Sequence, residues 1–384
     1  MKTKSAPKGA QRTSRGKILT SIAASLALAA VAMPASATNW WTATPTVSIG
    51  STVLNVKNFG AMGNGATDDT AAIQAAINAL PATGGTVVVP GGTYMINALK
   101  AINLRSHVRL SMWGNAYLKA IPTSASRYWV LKAWNVSNVE ILGGNVVGDR
   151  TQHQGTVGEW GYCVNVSGSS NVYVHDITLS NSWGDGILVG AIGSGTSIVR
   201  SNNVTLNRVT STNNRRQGLT IAPATQVYVV NSAFTNSNGT APQSGIDIEP
   251  MTQGYTQHVR LENTTVANNA GSGIEIRDYT SDVTLNKFTS QNNKGYGVYT
   301  NSPNGLVITN STLTENYLFG LDIGGTTNNV QLLGNTINWN GAAWFVAHNV
   351  SVFTPGWVPR DVTISSTATN VTQSNNLISP LRTN

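Results

Sequence analysis

Charged side chains are scarce in this chain, 10% of its 384 residues, yet several recur at matching places in a repeated pattern. Asp247 and Glu275 each stand two residues after a glycine, in Ser244-Gly245-Ile246-Asp247-Ile248 and Ser272-Gly273-Ile274-Glu275-Ile276. Glu249 and Arg277 follow two residues later. Asp185 immediately precedes Gly186, and Arg215 and Arg216 lie in Asn-Asn-Arg-Arg-Gln-Gly. Two carboxyl groups held side by side repel, so one keeps its proton near neutrality while the other stays ionised. Glycosidic cleavage uses that combination: an acid for the leaving oxygen, and a base or nucleophile. A separation near roughly 5 Å suggests retention, and a wider pair such as Asp185 with Asp247 suggests inversion. A lone exposed aspartate is ordinarily a solvated surface residue; a set on one face is a stronger signal. Glu249 with Arg277 reads as the member of the set closest to a plain structural ion pair.

The elements that must bring these residues together are short strands in a repeat. Between the glycines at 186, 218, 245, 273, 297 and 320 the steps are 32, 27, 28, 24 and 23 residues. Alternating apolar residues follow each glycine. A period of this length predicts a solenoid, in which every coil buries its apolar row against its neighbours. Residues one and three after each glycine then face the core, and residue two faces outward. The outward row is Asn165, Leu188, Thr220, Asp247, Glu275, Tyr299 and Asp322, with adjacent coils roughly 4.8 Å apart. The polar excursion over 148–161 approaches the same face. It brings His153 as a potential base, and Trp160, with Trp183 further on, as flat apolar surfaces suited to a sugar ring.

The first residues read as a leader. Lys2, Lys4, Lys8, Arg12, Arg15 and Lys17 precede an apolar run over 18–33 and then Ala35-Ser36-Ala37. That order predicts a cleavable secretory signal peptide over 1–37 and a secreted or periplasmic protein with no membrane span after its removal. The leader holds six of the 24 basic residues and none of the 16 acidic ones, leaving 18 against 16, or +2. So small a balance gives no electrostatic support for a nucleic-acid partner. Cys163 is the single cysteine and stands at the glycine position of its copy, where it reads as a small core residue.

Residues 38–100 read as a lead-in and helix cap, with Trp40 and Trp41 packing on the first coil. Asp68 or Asp69 is the expected N-cap of a helix over 70–80, whose Ile73, Ala76, Ile77 and Leu80 share one face. Such a helix shields the open end of a stack from edge pairing. Asn207, Asn231, Asn263, Asn286, Asn310 and Asn335 follow a second family of strands and read as turn residues in one inter-coil ladder. Coils continue through 101–384, with a longer aromatic excursion over 339–359, a last coil at 362–364 and an irregular C-terminal cap.

The run over 55–94 (NVKNFGAMGNGATDDTAAIQAAINAL…GGTVVVPGGTY) resembles the opening of the pectate-lyase superfamily, nearest its rhamnogalacturonase and epimerase-like branch. The resemblance implies an all-β fold: a single-stranded right-handed parallel β-helix with a short N-terminal capping helix. It leaves the reaction open, since the superfamily includes hydrolases, lyases, epimerases and phage tailspikes. Polygalacturonase-like members carry Asn-Thr-Asp, Asp-Asp, Gly-His-Gly and Arg-Ile-Lys; here Ser-Trp-Gly-Asp-Gly holds one aspartate and Gly-His-Gly is missing. Calcium-dependent lyases hold Ca²⁺ with carboxylates and use an arginine base, and Asp247, Glu249 and Glu275 with Arg215, Arg216 or Arg277 can be read that way. The expectation is a polysaccharide-cleaving enzyme without a cofactor, calcium entering only if it is a lyase. Asp185, Asp247, Glu275 and Arg216 are the expected catalytic residues. Arg215, Glu249, Arg277, His153, Trp160, Trp183 and Tyr299 are the expected substrate contacts. Hydrolysis is favoured over β-elimination on a uronic-acid polymer, C5-epimerisation and non-catalytic glycan binding.

Overall fold

The computed structural model describes residues 39–250, 254–341 and 361–378. The expected leader and most of the 339–359 excursion lie outside the described residues. Each regular coil contains three strands. From Ile274–Ile276 the chain runs through Thr280–Asn286 and Thr289–Gln291 before the next coil begins at Val298–Asn301. Each strand pairs in parallel with its counterpart one coil on: Ile274 with Val298, Val283 with Leu306, Ser290 with Leu313. The result is a parallel β-helix. Its interior is a set of aliphatic rows such as Leu219, Ile246, Ile274, Val298 and Leu321, all fully buried.

The repeated glycine is a packing requirement. A Cβ on Gly218, Gly245 or Gly273 would stand 2.6, 2.8 or 2.5 Å from the carbonyl oxygen of the next coil's glycine. Cys163 occupies the corresponding place in its strand, fully buried, since Val164 pairs with Ile187.

The asparagines divide into two systems rather than the single ladder expected. Asn231, Asn263 and Asn310 occupy the left-handed region, with φ near 50°. Asn207 and Asn286 precede the left-handed residues Arg208 and Lys287, and Asn335 follows Gly334. The sequence spacing blurs these three places of one turn. A second row, Asn269, Asn293, Asn316 and Asn340, points inward at a different corner and is fully buried. There the Asn293 side-chain oxygen accepts from the Asn269 backbone N–H (3.1 Å) and amide (2.8 Å), and the Asn293 amide donates to Asn316 (2.9 Å) and Val266 O (3.2 Å).

The helix spans Thr70–Asn78 and buries Ile73, Ala76 and Ile77. Leu80 is buried beyond its end. Asp69 does not cap it through its side chain; its carboxylate closes the preceding loop, accepting from Met62 N (2.6 Å) and Gly63 N (3.0 Å). Asp68 accepts instead from Thr70 N and Oγ1. The Gln74 amide bonds both backbone groups of Asn103 at the end of the first face strand, Ile102–Asn103. That contact covers an otherwise open sheet edge.

Trp40 and Trp41 lie on middle coils, not on the first. Arg260 sits 4.5 Å over the Trp41 ring, and Tyr173 and Asn207 both donate to Ala43 O. Polar partners on the outer sheet draw the lead-in along the stack, which hydropathy alone did not reveal.

Asn293→Ala leaves several buried groups unpaired and is expected to cost about 2–3 kcal/mol. The expected readout is a lower urea midpoint with an unchanged slope.

Candidate functional site

The outward row forms in the expected register: Asn165 on Leu188, Leu188 on Thr220, Thr220 on Asp247, Asp247 on Glu275, Glu275 on Tyr299, and Tyr299 on Asp322. Asp247 and Glu275 are therefore neighbours across one rung. The row is not an open surface, however. Thr220 and Asp247 are 1% and 0% exposed and Glu275 8%, because side chains from the strand ends fold over them. Gln217 donates to Asp247 Oδ2 (2.7 Å), and Ser244 donates to Glu275 Oε1 (2.8 Å).

Two arginines knit the carboxylates together. Arg216 donates to Asp185 Oδ2 (3.1 Å) and Glu249 Oε1 (2.7 Å), and its Nε faces Glu159 Oε2 at 3.9 Å. Arg277 donates to Glu275 Oε2 (2.5 Å), with its Nε 3.5 Å from Asp247 Oδ1. Glu249 thus pairs with Arg216, not with Arg277 as expected. The backbone explains the change. Glu249 N bonds Ile221 O, and Arg277 N bonds Ile248 O, so each residue leans back over the preceding coil. Asp185 joins the row through Thr220, whose hydroxyl donates to its Oδ2 at 2.8 Å.

Five carboxylates share two guanidinium groups, and that imbalance sets the electrostatics. Burial pushes Asp185 up to about 6, with Glu249 adding to the rise and Arg216 and Thr220 opposing it. Asp247 rises well above the usual carboxylate range, from burial first and then from the charges of Glu249 and Glu275. Burial alone would depress Arg216, but Asp185 and Glu249 outweigh it and hold the guanidinium more firmly protonated than usual. That is opposite to what a base requires, so Arg216 is not placed to abstract a proton. Asp185 Oδ1 and Asp247 Oδ1 are buried without a hydrogen-bond partner among the described atoms.

Two expected substrate contacts, His153 and Trp183, are internal. The His153 side chain has no exposed surface, is held by Asp149 at 2.8 Å, and stacks on Trp183 at 3.8 Å. The guanidinium of Arg215 covers the other face of Trp183 at 3.9 Å and donates to Gly158 O at 2.7 Å. His153, Trp183 and Arg215 form one sandwich that fastens the 149–159 excursion to the stack. Neither ring of the pair is free for a sugar. Trp160 is the exception, 38% exposed. Tyr299 stacks on Tyr296 at 5.2 Å further along the face.

Trp160 separates two cavities. One, about 310 Å³, adds Trp129, Trp134, Tyr162 and Arg127 to Asn165 and Leu188 of the row. The other, about 490 Å³, is lined by Glu159, Arg215, Ser126 and Thr240 among others. Lys132 lies 4.4 Å from the Trp134 ring and 5.3 Å from Trp129, and Arg127 lies 4.9 Å from Trp160. Sequence reasoning missed Arg127, Trp129, Lys132, Trp134 and Tyr162, and did not count Glu159 in the site. The signal was present as the alternation Arg-Tyr-Trp-Val-Leu-Lys-Ala-Trp, but this strand has no leading glycine to align it. Lys132 pairs with Asn165 and so extends the outward row by one coil.

The calcium reading does not fit the donor set. Asp247, Glu249 and Glu275 are each engaged by Arg216 or Arg277, and a divalent cation there would face two guanidinium groups.

Residues 53–126 match a family model described as rhamnogalacturonase A/epimerase, pectate lyase-like, and residues 162–337 match one described as a right handed beta helix region. The chain is a pectate-lyase-like right-handed parallel β-helix protein. Among proteins similar to this β-helix chain is YclG of Bacillus subtilis (strain 168), an uncharacterised protein 29% identical over 240 residues. That match takes in 56% of this chain and 41% of YclG, so the chain spans under half the length of that relative. The mannuronan C5-epimerase AlgE3 of Azotobacter vinelandii is 62% identical over 45 residues, 12% of this chain and 2% of AlgE3. In structure, the A-module of mannuronan C-5 epimerase AlgE6 from Azotobacter vinelandii superposes with a TM-score of 0.61 at 22% identity, covering 84% of this chain and 90% of that one. At that identity the likeness speaks to fold. Among the described residues, no helix is long and apolar enough to cross a membrane.

Asp185 ties the site to stability. Unfolded, it loses its proton near about 4; folded, near about 6, so the folded β-helix binds more protons between those values. Stability therefore falls as pH rises through that window, by on the order of 2–3 kcal/mol from this group. Urea midpoints measured from pH 4 to 6.5 are expected to fall less steeply for Asp185→Asn than for the wild type.

Proposed function

We propose that this chain is an exported polysaccharide-cleaving enzyme that hydrolyses glycosidic bonds with carboxylate assistance. The observation that carries the reading is the shortage of positive charge in the cluster. Five carboxylates served by two arginines favour a state in which one acid keeps its proton beside ionised neighbours, as bond cleavage requires. The aromatic cavity formed by Trp129, Trp134, Trp160 and Tyr162 supplies apolar area against which sugar rings pack. Relatives named as mannuronan C5-epimerases support a glycan polymer as the ligand without fixing the reaction.

Proton abstraction, common to elimination and epimerisation, is less favoured because the two bases once considered are unsuited to it. Arg216 is held charged, and His153 is enclosed by Trp183 and Asp149. Non-catalytic glycan binding is the second reading, favoured by the complete burial of Asp185 and Asp247 beside an accessible Trp160.

Incubation with a panel of acidic and neutral polysaccharides separates these readings. Hydrolysis gives new reducing ends without near-ultraviolet absorbance; elimination gives both; a binding protein retains glycan and releases nothing. The double variant Asp247→Asn, Glu275→Gln is expected to lose at least about 10²-fold in depolymerisation. Unchanged cleavage by that variant would remove the cluster from the mechanism.

A further inference from the structure

The lead-in before the first coil carries a period of its own. Trp41, Ala43, Pro45, Val47 and Ile49 alternate with Thr42, Thr44, Thr46 and Ser48, the two-residue period of an extended segment with one apolar side. The apolar set is partly buried and the polar set exposed, yet 41–50 forms no strand. Pro45 has no N–H to give to a ladder. On the outer sheet Tyr173, Thr205 and Tyr228 face away from the core, one rung apart, and are nonetheless only 6%, 3% and 5% exposed. An outward row that is buried has a cover. We infer that this row is a docking surface for the chain's own residues 41–49, and that the docked segment is a strap coupling the coils it crosses into one cooperative unit.

The contacts follow one another in reverse order along the stack. The Trp41 ring lies 4.5 Å from the Arg260 guanidinium. Ala43 O accepts from Tyr173 Oη (3.0 Å) and Asn207 Nδ2 (2.8 Å), residues 130 and 164 positions away in the chain. The His107 ring bonds Ser48 O through Nδ1 at 2.9 Å. Gly50 sits so close to the first coil that a Cβ on it would stand 2.4 Å from Gly84 O. Strand pairings counted from Arg260 through Tyr228, Thr205 and Tyr173, and on to Thr86, make six rungs, roughly 29 Å. The nine residue steps from Trp41 to Gly50 reach about 30 Å when extended at about 3.3 Å each. The two lengths agree, so the segment runs straight, along the solenoid axis and across the strands.

Such a strap changes how the stack responds to a local disturbance. Coils of a solenoid meet only their neighbours, so one end can open without the other. The strap adds contacts that skip coils. Opening the first coil frees the Ser48 end, and the loosened segment then holds Trp41 and Ala43 in place less well, because its tether has gone. The effect reaches the candidate site. The face strands from Arg127–Trp134 to Ile246–Ile248 belong to the spanned coils, so the strap helps to hold the register of Lys132 through Asp247 from the neighbouring sheet.

The test is amide hydrogen exchange on the full chain, read by mass spectrometry. Val87→Ala opens a cavity beneath the strand Gly85–Val89 and serves as the local disturbance. With the strap intact, exchange is expected to quicken about tenfold or more both there and in Thr256–Glu262, six rungs away. In a Trp41→Ala, Val47→Ser, Ile49→Ser background, which leaves every coil residue in place, Val87→Ala is expected to quicken exchange near Gly85–Val89 and leave Thr256–Glu262 unchanged. Propagation to Thr256–Glu262 in both backgrounds would mean that stacking by itself couples the coils, and the inference falls. Absence of propagation in the intact chain sinks it equally. Should the triple variant fail to fold, Trp41→Ala alone, which frees only the Arg260 end, is expected to reduce the response at Thr256–Glu262 by about half or more. An unchanged response there overturns the strap.

Discussion

Parallel strands stacked in register at roughly 4.8 Å force each residue to sit on its counterpart one coil away, and everything distinctive here follows from that repetition. An aliphatic residue becomes a buried column, an asparagine becomes a hydrogen-bonded ladder, and a glycine marks a place where two coils approach too closely for a side chain. The same rule applied to an acid is hazardous. Asp247 over Glu275 places like charges in adjacent rungs, beneath a layer that excludes solvent. Nothing in the core demands acids there, since Leu188 and Tyr299 occupy the same row elsewhere.

The chain manages that repulsion by leaning its arginines backwards. Arg277 returns over the coil of Asp247, and Glu249 returns to meet Arg216, so each guanidinium serves carboxylates from different coils. A buried cluster with more acid than base is a poor stabilising device, because the desolvation of each charge is only partly offset by pairing. Such an arrangement is better understood as a site that holds protons than as a brace. The contrast with the buried asparagine row is instructive: there the side chains of Asn269, Asn293 and Asn316 find neutral partners, and the coil is strengthened.

The solenoid, the register of the outward row and the burial of Cys163 were all legible in the sequence, because a glycine followed by alternating residues fixes both period and facing. Side-chain reach was not legible. Whether Arg216 pairs forward or back depends on a backbone bond from Glu249 to Ile221, which no spacing rule encodes. The excursion over 149–159 was similarly opaque: it lacks periodicity, so the Trp183 sandwich that encloses His153 and engages Arg215 could not be read from composition. The aromatic strand Arg127–Trp134 escaped notice for the opposite reason, being regular but without the glycine that marked its successors.

The register beneath the site is open to a direct chemical measurement. In a Cys163→Ser background, cysteines at Asp247 and Glu275 are one rung apart and within the reach of a disulfide, whereas cysteines at Asp247 and Tyr299 are two rungs apart, roughly 9–10 Å, and beyond it. Thiol counts after mild oxidation should show closure of the first pair and free thiols in the second. Closure of the second pair with none in the first would mean that the coils stack in another register, and the site described here would not exist.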